Sequence, residues 1–123
     1  MRFRLLVILS LMWAAASAQA SQPVSYHARL SRQDHYDAKG RKLESVPAIL
    51  ARDRANYHRF HRRDASDQSD SFFTTESHRA LFYKMKIVYR NFGNNPSHSV
   101  ITEFLDVDVK VSGLTVYLTV SAG

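Results

Sequence analysis

The sequence predicts an α+β fold: a small antiparallel sheet, made of an N-terminal strand and a C-terminal hairpin, covered on one face by two helices. Three observations predict it. Leu105, Val107, Val109 and Val111, then Leu114, Val116, Leu118 and Val120, alternate with polar residues about Ser112-Gly113, as a half-buried hairpin does. Val24 to Leu30 alternates in the same way. Residues 46–62 instead carry apolar residues at helical spacing.

In chain order, residues 1–20 come first. Met1-Arg2-Phe3-Arg4, the apolar run Leu5 to Ala16 and the small-x-small Ala18-Gln19-Ala20 have the form of a secretory signal peptide cleaved after Ala20. The apolar run is too short to span a bilayer. The remaining residues, 21–123, are expected to make one domain, periplasmic or secreted. Losing Arg2 and Arg4 lowers the formal charge from +6 to +4. The chain has no cysteine, which excludes disulfides, thiol chemistry and Cys-ligated metal, so packing alone must hold an exported domain together.

After the first strand, Asp34 to Gly40 reads as a loop. Ser45 suits a helix N-cap, with Pro47 in the first turn. Val46, Ile49, Leu50, Tyr57 and Phe60 share one face of the helix that follows, while Arg52, His58, Arg59 and Arg62 share the other. Asp53 falls within the apolar face, where a carboxylate must be paired or hydrogen-bonded. Residues 64–71 form an acidic polar loop. A second helix is expected from Thr74 or Thr75, turning Ala80, Leu81 and Met85 inward, with a short strand possible at Ile87-Val88-Tyr89. Asn91 to Pro96 is dense in turn formers and reads as an exposed connection. Pairing 111 with 114, 109 with 116, 107 with 118 and 105 with 120 puts all eight hairpin aliphatics on one face.

Charge is sorted along the chain. Residues 26–63 hold ten Lys or Arg against four acids, 64–78 hold four acids and no base, and 79–90 hold four bases. Such a basic stripe suits contact with an anionic surface, or else it is a solvated helix face paired with the acidic loop. His58 and His61, one helical turn apart, could be imagined on a zinc with Asp34, His35 or Asp64, but surrounding arginines oppose a divalent cation and no metal is assigned. Asp64, Asp67 and Asp70 lack the alternating ligands, Gly and Glu of a calcium loop. Hydrolase motifs are absent, and Glu103 with His98 or His78 is the one acid–base pairing worth naming. Gly40-Arg41-Lys42 and Arg62-Arg63 could serve as processing signals, but the matched hairpin and helix indicate a folded product.

Asp53-Arg54-Ala55-Asn56-Tyr57-His58-Arg59-Phe60, then Arg63-Asp64 and Asp70-Ser71-Phe72-Phe73, resembles a motif of small exported bacterial proteins. The resemblance covers about residues 26–82 and implies a bacterial envelope setting, with no known activity attached. The C-terminal part departs from that group. The expected function is therefore a non-enzymatic exported binding protein without a cofactor, meeting an anionic envelope component or a protein partner through its basic face or a sheet edge. The alternative is a small basic hydrolase of nuclease type.

Overall fold

A computed structural model describes residues 20–121. The expected leader lies outside the described residues apart from Ala20, where the first strand begins. The elements are β1 (Ala20–Leu30), α1 (Val46–His58), α2 (Glu76–Arg79), β2 (Lys86–Arg90), α3 (Pro96–Thr102), β3 (Leu105–Gly113) and β4 (Thr115–Val120). Short 3₁₀ turns at Arg32–His35 and Ala80–Lys84 complete the path. The class is α+β, with helices packed on a small sheet of order β1-β3-β4-β2. Among the described residues, no helix is long and apolar enough to cross a membrane.

The period-two pattern decides the sidedness of the sheet. Ala28 and Leu30 of β1, Val107, Val109 and Val111 of β3, and Val116 and Leu118 of β4 are all buried on one face. His27, Arg29, Asp106, Asp108 and Lys110 take the other, outward-facing positions. The hairpin register differs from the expected one by two residues: Val111 pairs with Val116, Val109 with Leu118 and Val107 with Val120. A shift of two preserves the faces, so the aliphatics stay together. The turn moves to Gly113-Leu114 because Gly113 takes φ +59 at the first central position, which suits a type II′ hairpin turn.

The sheet is mixed rather than purely antiparallel. β1 pairs with β3 and β3 with β4 antiparallel, but β2 joins β4 parallel, Lys86 opposite Thr115 through Arg90 opposite Thr119. A further helix, α3, follows the expected connection, in a stretch to which the sequence pattern assigns no element. Asn91 at φ +64 turns the chain out of β2, and Pro96, pre-set for the first helical turn, starts α3 and lets Val100 reach the core.

α1 is shorter than 46–62. Ser45 caps it by accepting the Ala48 N–H at 3.3 Å, and Val46, Ile49 and Leu50 are buried. It ends at His58, because His61 adopts φ +53 and the Arg62 N–H returns to the Asn56 carbonyl at 2.8 Å. Phe60 consequently lies past the helix and is exposed, not part of its buried face. Thr75 caps α2 by accepting from His78 N–H, after which Leu81, Phe82 and Met85 pack inward while Ala80 stays exposed. Phe73 stacks on Phe82 at 4.2 Å between ring centres and meets Tyr26 edge-on.

Candidate anion-binding site

The second half of α1 buries polar groups. Asp53, Arg54 and Asn56 are each at most 1% exposed. Arg54 Nε donates to Asp53 Oδ2 at 2.8 Å, and its Nη1 donates to Asp70 Oδ1 at 3.0 Å and to the Gln68 carbonyl at 2.8 Å. Its guanidinium also lies over the Tyr26 ring, 3.8 Å from the centre. Asp70 gathers the acidic loop around it. Besides Arg54 it bonds His58 Nε2 at 2.7 Å and accepts the N–H groups of Phe72 and Phe73. Burial alone would raise the Asp70 carboxyl, but the bonds from Phe73, His58 and Arg54 outweigh it and hold it below the usual value. Asp53 goes the other way: burial pushes its carboxyl well up against the attraction of Arg54. Its Oδ1 has no hydrogen-bond partner among the described residues.

A second polar cluster joins the 3₁₀ turn at Arg32–His35 to α1. Asp34 accepts from Ser31 N–H at 3.0 Å and from Asn56 Nδ2 at 2.9 Å. Both ring nitrogens of buried His35 face carbonyls, Ser31 at 2.7 Å and Val100 at 2.9 Å, which ties this turn to α3. Burial pushes the Asp34 carboxyl up to about 6, despite the bonds from Asn56 and Ser31. The folded state therefore takes up this proton at a higher pH than the unfolded chain, so the contribution is present in full below about pH 4 and is lost as pH rises through about 6. Relative to Asp34→Asn, the parent should gain about 2 kcal/mol of unfolding free energy between pH 7 and pH 4. Urea melts of both proteins across that range check it; a constant difference would contradict it.

Beside this cluster lies an open cleft of about 580 Å³, bordered by Arg32, Tyr36, Arg52, Arg62, Asp37 and Asp64. The two carboxylates are engaged locally. Asp37 pairs with Arg41 at 2.9 Å, and Asp64 accepts from the Ser31 hydroxyl at 2.7 Å. Among the described residues, Arg32, Arg52 and Arg62 form no ion pair. The Arg32 guanidinium lies over Tyr36 and that of Arg52 over Phe60, at 5.0 and 5.2 Å from the ring centres. Arg52 Nε is buried without a hydrogen-bond partner among the described residues. Three guanidiniums on one cleft can bind an oxyanion by charge and by paired N–H donors.

The four residues assigned to the basic face therefore separate. Arg52 and Arg62 border the cleft. Arg59 is exposed, stacks on Phe60 at 5.0 Å, and borders a neighbouring groove of about 380 Å³ with Arg52 and Tyr83. His58 turns away from the cleft toward Asp70. Asp53 is fully enclosed beside Arg54. His61 lies beyond the end of α1, so His58 and His61 are not a turn apart on one helix, and no group of three metal-ligating side chains gathers among the described residues. Glu103 and His98 are exposed, while His78 bonds the Phe72 carbonyl and stacks on its ring. No hydrogen bond or ion pair joins Glu103 to either histidine.

Sequence reasoning missed Arg32 and Arg54. Arg32 is isolated in a loop, without a periodic pattern to point to it. Arg54 had one available signal, since a buried Asp53 calls for a cation. No protein-family model, curated protein or solved structure matches this chain.

Proposed function

We propose that the protein is an exported, non-enzymatic binding protein that takes a phosphate- or carboxylate-bearing envelope polymer in the Arg32–Arg52–Arg62 cleft. The observation that carries this reading is the combination, on one concave surface, of three arginines without carboxylate partners among the described residues, beside an Asp37 paired with Arg41 and an Asp64 bonded to the Ser31 hydroxyl. Charge patterning supports it: the acidic loop spends Asp70 on Arg54 and Asp67 on backbone N–H groups, and neither forms an ion pair with an arginine of the cleft among the described residues. The N-terminal segment of signal-peptide form supports the envelope setting.

Binding should be tested on residues 21–123 with polyphosphate and with polyglutamate, two probes that separate phosphate from carboxylate recognition. Affinity is expected to fall steeply between 50 and 300 mM salt, as counterion release requires. The R52E/R62E double variant should bind at least tenfold more weakly, whereas Arg59→Glu, outside the cleft, should cost less than threefold. Binding unmoved by salt or by R52E/R62E would dismiss the cleft. Turnover of RNA or DNA by the parent protein would favour a nuclease instead.

A further inference from the structure

The two edges of the sheet are treated differently. Along β1, the loop after α1 acts as a cover. His27 N–H donates to the Gln68 side chain at 3.0 Å, Gln68 N–H donates back to the His27 carbonyl at 2.8 Å, and Arg29 N–H donates to Asp67 at 2.8 Å. Along β2 no such cover is found among the described residues. The Lys86 N–H bonds the Leu114 carbonyl at 2.9 Å, so in a parallel ladder Lys86, Val88 and Arg90 turn their backbone groups toward β4. The backbone groups of Ile87 and Tyr89 then point away from the sheet, and none of them has a hydrogen-bond partner among the described residues.

We propose that this edge is a docking site for an extended protein segment with acidic residues four apart, added to β2 as a fifth, antiparallel strand. Main-chain bonds to Ile87 and Tyr89 supply the affinity, and the charges at the two ends supply the selection. Lys86 and Arg90 project on the same face of the strand, four residues apart, and neither is in an ion pair among the described residues. The Arg90 guanidinium lies over the Tyr117 ring of β4 at 4.6 Å, on the outward face of the sheet, from which it must swing to meet an added strand. Charge decides against a second copy of this chain. Antiparallel self-pairing about Val88 would set Lys86 opposite Arg90 at both ends, and like charges directly opposite destabilise a ladder. A strand with a carboxylate at each of those positions is favoured for the same reason. This surface shares no residue with the arginine cleft.

The test is a blocked peptide, Thr-Glu-Thr-Val-Thr-Glu-Thr, titrated into residues 21–123 and followed by amide NMR. The Ile87 and Tyr89 amides should shift. Replacing both glutamates with lysine should weaken binding at least tenfold, and K86E/R90E should reverse that preference. N-methylating the two Thr that flank Val blocks N–H groups facing the sheet and should cost at least tenfold. N-methylating Val blocks one that faces away and should cost less than threefold. Because these last changes are made in the peptide, the fold is not perturbed. Indifference to the position of methylation, equal binding of the lysine peptide, or dimerisation through the Ile87 and Tyr89 amides would each overturn the proposal.

Discussion

Replacing Arg54 with methionine is expected to cost about 3–5 kcal/mol of unfolding free energy at pH 7, enough to unfold much of a domain this size. Methionine keeps most of the side-chain length, so the loss is of charge and hydrogen bonds more than volume. It takes from Asp53 its hydrogen-bond partner among the described residues and from Asp70 its guanidinium, both carboxylates having side chains 1% exposed, and it leaves the Gln68 carbonyl without its donor. Removing one partner of a buried ion network costs far more than the network contributes net, because the orphaned charge cannot recover its water. Urea unfolding of the parent and Arg54→Met measures the difference. A loss below 1 kcal/mol would mean that Asp53 and Asp70 find water or other donors once Arg54 is gone.

Asp70→Ala should be nearly as damaging, at about 3–5 kcal/mol, by a complementary route. Asp70 bonds Arg54, His58 and the N–H groups of Phe72 and Phe73. Without it the Arg54 cation keeps Asp53 as its one carboxylate beside the Gln68 carbonyl, and the segment leading into the buried Phe73 ring loses the acceptor that bends it. Since Arg54 and Asp70 belong to one network, the double variant should lose less than the sum of the singles by more than 1 kcal/mol. Simple additivity in the same urea experiments would show that the two residues act separately.

These two residues mark where the sequence could be read and where it could not. Period-two alternation of Val107, Val109, Val111, Val116 and Leu118 announces a half-buried hairpin, because one face meets helices and the other meets water. The same alternation fixes register only to within two residues. Backbone chemistry makes the final choice: Ser112 in a primed turn would have needed a positive φ, which Gly113 adopts freely. β2 is five residues long and half-buried through its middle, so nothing in its pattern tells which neighbour it will choose or in which direction. The end of α1 is likewise hidden, since Arg59, Phe60, His61 and Arg62 are ordinary helix residues and the left-handed turn at His61 is set by the fold around it.

The cleft was less legible than the fold. Arg52 and Arg62 stand out as part of a basic stripe, but their partner Arg32 comes from a different element, brought near by the Asn56–Asp34 and Asn56–Gln33 bonds. Long-range convergence of that kind leaves no periodic trace.

The pairing of β1 with β3 also carries a consequence for how the molecule comes into being. His27 and Asp108, side by side in the sheet, are 81 residues apart in the chain. The β1–β3 ladder therefore cannot close until β3 has left the ribosome, and loop-closure entropy must be met before any of its bonds forms. Early in synthesis the chain can build α1 and little else, and half of that helix holds charges whose partner, Asp70, is made later. Such a chain stays open for most of its synthesis and closes late.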